Sequence, residues 1–211
     1  MAGSSTASGA TEPAQPVFYF DLASPEAYLV AERVLHALPE AAEWQPVWLG
    51  GLRAGEVGAG WRCAQEAASH REDVERRAAA QGLQPVRWPE PFPASGTRFA
   101  MLVATYAKQI GRTVAFAQAA FRQAFAGGRD LSQRDWVLMA AAACEMHPAA
   151  VIKGAELGST ARRLDEATEA AAAAGVLDVP AIRVDDRVFH GDAEVDAAAA
   201  TLTARAAQAA P

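Results

Sequence analysis

Ser24 stands where the chain changes character, and its neighbours could give it chemistry. Ahead of it, Val17-Phe18-Tyr19-Phe20 is a short apolar run of β-branched and aromatic residues, the pattern of a buried strand. Behind it, Pro25 and Glu26 are first-turn residues of a helix, which makes Ser24 its N-cap. A hydroxyl at such a junction lies among unpaired backbone N–H groups at the positive end of the helix dipole, a good place to hold an anion. The same residues also describe an ordinary capped helix, and both readings stand at this point.

The second chemically suggestive place is Val179-Pro180, just ahead of Ala181-Ile182-Arg183-Val184. An X-Pro bond that opens a strand is either a plain trans proline or a cis peptide. In the cis form the backbone of Val179 faces outward, where its N–H and C=O can pair with an extended, peptide-like ligand.

Other candidates are weaker. His36, His70, His147 and His190 have no metal-ligand spacing, so no metal is expected. His147, before Pro148, occupies an N-cap position, and His190 is either a strand-end histidine or an acid/base group near Val179-Pro180. Cys63 and Cys144 form no CxxC and read as buried thiols of a reduced, cytoplasmic protein. The Gly55–Gly60 run lacks the Lys-Ser/Thr of a phosphate loop and reads as a lid or linker. Among the aromatic residues, Trp88 and Phe92 are the expected walls of an aromatic-substrate cleft, because their proline-rich loop is hard to bury for packing alone. Trp48, Trp61 and Trp136 read as core.

These residues need elements to position them. A helix over 25–38 ends before Pro39, and Gln45-Pro46-Val47-Trp48-Leu49 reads as a second strand closed by Gly50-Gly51, giving a β-α-β opening. From 53 to 175 the pattern is helical. A charged helix over 62–81 stops at Gly82, and the Trp88-Pro89-Glu90-Pro91-Phe92-Pro93 loop follows. A stripe of Phe99, Leu102, Val103, Tyr106 and Ile110 comes next, then one of Val114, Ala117, Phe121 and Phe125. Ser132 and Asp135 resemble a capping box, Pro148 opens a short helix, and Ser159 caps a helix with Leu164, Ala167 and Ala171 inward. Strands return as a hairpin around Asp185-Asp186, and a terminal helix carries Val195, Ala199 and Leu202.

Composition sets the outer bounds. A chain of 211 residues can bury a sizeable core, and a net charge of −6 argues against nucleic acid or an anionic membrane as partner. The longest apolar run, 136–144, is far too short to span a membrane, and residues 1–16 read as a disordered tail.

Together the two ends resemble the thioredoxin fold of the DsbA type, an α/β fold in which β-α-β and β-β-α flank a large all-helical insertion. This places a thioredoxin-like domain at 17–52 and 176–208 and the insertion at 53–175. Phe20 to Leu29, the Trp88–Pro93 loop, and the run from Leu164 through Thr168 to Val176-Leu177-Asp178-Val179-Pro180 are similar to the 2-hydroxychromene-2-carboxylate isomerase and kappa-class glutathione transferase family. The tetrad Ser24-Pro25-Glu26-Ala27 carries no sulfur where disulfide oxidoreductases of this fold have CxxC, so it cannot form a mixed disulfide. The resemblance implies that Ser24 donates a hydrogen bond to the thiolate of bound glutathione, or of another low-molecular-weight thiol. It implies that Val179 and a cis Pro180 hold the tripeptide backbone. It further implies an aromatic enone-type small-molecule substrate and a homodimer. The chain departs from the family at Gly191-Asp192-Ala193-Glu194, where members carry Gly-x-Asp-Arg. There Asp192, offset by one residue, either replaces the family's acid toward the cofactor or is an N-cap. The family's Asn-Pro after the second strand and its asparagine after the Phe-Pro loop are also replaced, the latter by Ala94 and Ser95. The alternative function is a non-catalytic thioredoxin-like binding module, or a DsbA-family protein that has lost redox chemistry.

Overall fold

The alternation of Val17-Phe18-Tyr19-Phe20 sends its side chains to both faces of a sheet, and both faces are covered. In a computed structural model, which describes residues 14–52, 64–93 and 96–209, this run is strand β1 (Val17–Phe20). It pairs in parallel with β2 (Glu43–Pro46) after helix α1 (Pro25–Ala37), Phe18 opposite Trp44. On its other side β1 pairs antiparallel with β3 (Ala181–Val184), which closes a two-residue hairpin onto β4 (Arg187–His190) with Asp185 at φ +53°. The strand order is β2-β1-β3-β4.

Phe18 and Phe20 belong to the larger core with Trp44, Ile182 and Phe189, while Val17 and Tyr19 pack in a second cluster with Val47, Ala171 and Val179. The helices between β2 and β3 are α2 (Leu49–Leu52), α3 (Ala64–Ala80), α4 (Arg98–Gln109), α5 (Thr113–Phe121), α6 (Arg134–Ala143), α7 (Pro148–Ala155) and α8 (Gly158–Ala173). Among the described residues no strand interrupts them. A π-helical turn, Arg122–Ala126, extends α5 and keeps Phe121 and Phe125 turned inward. Their rings lie 5.9 Å from Phe20 and 5.6 Å from Tyr28 respectively, so aromatic contacts tie the insertion to β1 and α1. A 3₁₀ turn, Asp192–Glu194, leads into the terminal helix α9 (Val195–Ala209).

Four expectations are corrected here. The second strand is Glu43–Pro46 rather than 45–49, and Gly50-Gly51 lies in the helical turn α2. The chain leaves the sheet because the Trp48 N–H is taken by Thr168 Oγ1 (2.9 Å) and the Leu49 N–H by Asp21 Oδ2 (2.8 Å). The Ser132–Asp135 capping box does not form; Ser132 instead donates its N–H and hydroxyl to Asp130, and Gln133 precedes α6 without a side-chain cap. Ser159 is no cap, since α8 starts at Gly158 after Leu157. On α4 Val103 is buried and Phe99, Leu102 and Tyr106 pack against the core as expected, but Ile110 is exposed, and the other fully buried residues are Ala100, Met101, Ala104 and Ala107. Small alanines let other helices approach closely there, and the Tyr106 ring lies against Gly154 of α7, where an added Cβ would meet it at 2.4 Å.

His147 does cap α7, accepting the Ala149 N–H. The 62–81 helix is described from Ala64 and stops at Gly82, which has φ +70°. Cys144 is buried, and burial pushes its thiol pKa up against the opposing pull of Arg112. Cys63, Trp61, the Gly55–Gly60 run, Ala94-Ser95 and residues 1–13 of the tail lie outside the described residues.

Thr168 joins the insertion to the β1–β2 unit with a single hydroxyl, which accepts the Trp48 N–H and donates to Leu164 O (2.7 Å). Thr168→Val keeps the shape and leaves the Trp48 amide without that partner. We expect a loss of about 1–2 kcal/mol, measured as a lower urea midpoint at unchanged slope.

Candidate functional site

Local sequence dictates the geometry at Ser24. Pro25 fixes the first helical φ and has no N–H to satisfy, and Ser24 takes an extended conformation (φ −89°, ψ 117°). Its Oγ accepts the Ala27 N–H at 3.1 Å and its carbonyl accepts the Tyr28 N–H at 3.2 Å. The loop ahead of it is held by Asp21, which is buried, with Oδ1 accepting the Ala23 N–H (2.9 Å) and Oδ2 the Leu49 N–H (2.8 Å). Asp21 therefore pins the β1–α1 turn to the chain leaving β2. The Leu22 N–H points to the Met101 sulfur at 3.2 Å, adding α4 as a third support.

The Val179-Pro180 bond is cis, as are Glu90-Pro91 and Phe92-Pro93. Val179 lies against Ser24 across 155 residues of sequence, with Ser24 Oγ 3.3 Å from the Val179 carbonyl. The Val179 N–H is turned back onto the Asp178 carboxylate at 2.7 Å. Gly191, at φ +85°, donates its N–H to Pro180 O (2.8 Å), tying the end of β4 to the same peptide. His190 accepts the Leu177 N–H on Nε2 (3.1 Å), so in this arrangement its ring serves as a backbone acceptor.

Asp192 is not a helix cap. It opens the 3₁₀ turn behind Gly191, is buried, and forms an ion pair with Arg77 of α3. Arg77 also pairs with Asp73 at 2.8 Å and reaches Glu26 at 3.8 Å, and His70 Nε2 lies 3.3 Å from Glu26 Oε1. Thus α3, which buries only Val74 and Ala78, meets the start of α1 through charged side chains.

On the other flank, Phe92 and Pro89 line a small cleft with Leu22, Ala23 and Phe125, and Arg129 stands among its walls. Trp88 is not in that wall. Its ring packs behind Phe92 (centroids 4.6 Å apart) and edge-on to Phe125 (6.2 Å), and its indole N–H donates to Glu75 (2.6 Å). Arg71 lies over both Trp88 and Phe92, 5.5 and 5.4 Å from their centroids. The structure therefore brings together Ser24, Val179, Pro180 and Gly191, sets the Phe92 cleft beside Leu22 and Ala23 just ahead of Ser24, and places Trp88 against Phe92 and Asp192 on Arg77.

Sequence reasoning missed Asp21, His70 and Arg77 as parts of this site. His70, Asp73 and Arg77 share one face of α3 by their spacing. That periodicity identifies a charged stripe but not the element it meets.

The DSBA-like thioredoxin domain matches residues 17–203, nearly the whole described chain. The protein belongs to the DsbA-like thioredoxin family. This DsbA-like chain is similar in structure to a 2-hydroxychromene-2-carboxylate isomerase, with TM-score 0.81 and 19% identity over 94% of this chain and 100% of that one. It is also similar to a probable DsbA oxidoreductase from Streptomyces coelicolor, with TM-score 0.74 and 19% identity over 93% and 92% of the two chains. The cytosolic disulfide reductase DsbM from Pseudomonas aeruginosa follows at TM-score 0.59 and 13% identity, over 93% and 100%. At such identities these likenesses establish the fold. No sequence among curated proteins matches this DsbA-like chain. Among its described residues no helix is long and apolar enough to cross a membrane, and no cluster of His, Cys, Asp and Glu has the make-up of a metal site.

Proposed function

We propose that this DsbA-like protein is a thiol-dependent isomerase or transferase acting on an aromatic, enone-type substrate, with glutathione or another low-molecular-weight thiol as cofactor. The observation that carries the reading is the junction of Ser24 Oγ with the Val179 carbonyl at 3.3 Å, across a cis proline at a helix N-terminus. Its tetrad lacks the sulfur that disulfide exchange requires.

The residues present fit a thiol at Ser24. Ser24 is buried (5% exposed), its chain neighbours Leu22 and Ala23 line the Phe92 cleft, and the α1 dipole favours negative charge beside Ser24. Ser24 would orient and stabilise the thiolate, and Val179 with Pro180 would hold the thiol's backbone. That engagement requires the Val179 N–H to exchange its Asp178 partner for a ligand carbonyl. Gly191 positions Pro180 through its N–H, and Phe92, backed by Trp88, would meet the aromatic substrate once the cleft it lines, about 10 Å³ in this arrangement, opens to admit a ring. When bound, the cofactor supplies a nucleophile that adds to an activated double bond.

A binding module without catalysis is the second reading. It is favoured by the Arg77–Asp192 pair and the Asp178 contact, which already occupy groups that a peptide-like cofactor would use. Calorimetric titration of glutathione, and then of mycothiol, into the wild-type chain decides between them. The enzyme reading expects saturable binding of one thiol at a dissociation constant below about 1 mM, the weak end of ordinary small-ligand affinity. Absence of heat with both thiols favours the binding module.

A further inference from the structure

Ser24 has one hydroxyl proton and two acceptors within reach: the Val179 carbonyl at 3.3 Å and the Glu26 carboxylate, whose Oε2 lies 3.2 Å away. The oxygen itself already accepts the Ala27 N–H at 3.1 Å. A hydroxyl donates once and accepts twice, and an ionised carboxylate is the stronger of the two acceptors. What stays open on Ser24 is one lone pair, which can receive a hydrogen bond but cannot give one. An anion seated at this helix terminus therefore competes with Glu26 for the proton, and it also meets the negative charge of that side chain.

We propose that Glu26 is a positioning residue that holds the Ser24 proton and so sets how strongly the α1 terminus stabilises a thiolate. It acts through Ser24 and opposes the helix dipole. This rests on the thiol-dependent reading above and adds the side chain that tunes its anion site.

The surroundings of Glu26 suit an adjustable acceptor. From α3, His70 Nε2 lies 3.3 Å from Oε1 and Arg77 3.8 Å away, and Asp73 on the same helix is bound to Arg77. From the 3₁₀ turn, Asp192 takes the remaining side of Arg77. From the bend leading into Pro180, Asp178 accepts the Val179 N–H, and Asp21 closes the turn ahead of Ser24. Glu26 is thus held between the hydroxyl on one oxygen and the His70 and Arg77 side chains of α3 on the other, and its side chain is 24% exposed. A shift toward His70 and Arg77 would release the Ser24 proton to an incoming thiolate.

The test places the probe at the site itself. In Ser24→Cys the introduced thiol reports how easily negative charge forms there. Its ionisation is read from the pH dependence of iodoacetamide alkylation, with the parent chain supplying the background from Cys63 and Cys144. Adding Glu26→Gln keeps the shape and removes the charge. The introduced thiol is expected to titrate about one unit lower in the double variant, giving roughly tenfold more thiolate at a pH below both values. An equal or higher pKa in the double variant overturns the proposal. In parallel, glutathione is titrated with the wild-type chain and with Glu26→Gln, following thiolate absorbance. A lowering there, where Ser24 is present, supports the hold of Glu26 on its proton, and an unchanged pKa of bound glutathione overturns it. An introduced thiol that responds while glutathione fails to bind supports the role of Glu26 and removes the cofactor reading instead.

Discussion

Ser24→Ala is expected to leave a folded protein and, on the thiol-dependent function proposed above, to cut turnover roughly 100-fold, the scale seen when one preorganised donor to a developing anion is removed. Two effects of the substitution separate cleanly. The structural one is loss of the cap on α1: the Ala27 N–H loses the Ser24 Oγ at 3.1 Å, which costs about 1 kcal/mol. The chemical one is loss of the hydroxyl that would donate to the thiolate, so a thiol bound at the site returns toward its ordinary pKa of about 8.5. Ser24→Asn separates them experimentally. Asparagine caps a helix as well as serine does but presents a different donor, so stability should recover while turnover stays low. Urea midpoints and steady-state rates with the same thiol check both. A turnover restored along with stability would reduce Ser24 to a cap.

The largest stability effect is expected at Asp21. Its carboxylate is 1% exposed and accepts two backbone N–H groups, from Ala23 and Leu49. Asp21→Ala leaves both amides without those acceptors in a closed environment, at about 1–3 kcal/mol each, so a total loss near 3–5 kcal/mol is expected. Because the bond to Leu49 fixes where the chain leaves β2, the loss should also loosen the turn that presents Ser24. Urea denaturation measures the first effect. Hydrogen exchange of the Ala23 and Leu49 amides, faster than that of the β1 amides, measures the second. Full retention of stability would mean that Asp21 is not the pin described above.

Much of this site was legible where local chemistry decides conformation. Ser24-Pro25-Glu26 announces a helix start whatever surrounds it and Asp185-Asp186 marks the hairpin, whereas Val179-Pro180 leaves its bond open between cis and trans. The reading failed where partners distant in sequence decide. Val47-Trp48-Leu49 has the composition of a strand, but the Trp48 and Leu49 amides are claimed by Thr168 and Asp21, so the strand ends at Pro46. On α4 the large side chains mark the inward face, but their spacing does not show that Ala100, Ala104 and Ala107 are fully buried beside them or that Ile110 is exposed. Asp192 passes for a cap in sequence because nothing there shows that Arg77, 115 residues earlier, meets it. The charged face of α3 was visible as a pattern and silent about its destination.

The most direct test of the central claim, that Ser24 activates a bound thiol, is the ionisation of glutathione at saturating protein, followed by thiolate absorbance across pH. With the wild-type chain the account predicts a bound-thiol pKa at least one unit below that of free glutathione, and with Ser24→Ala a value near the free one. Saturable binding with equal pKa values for the two proteins would contradict it.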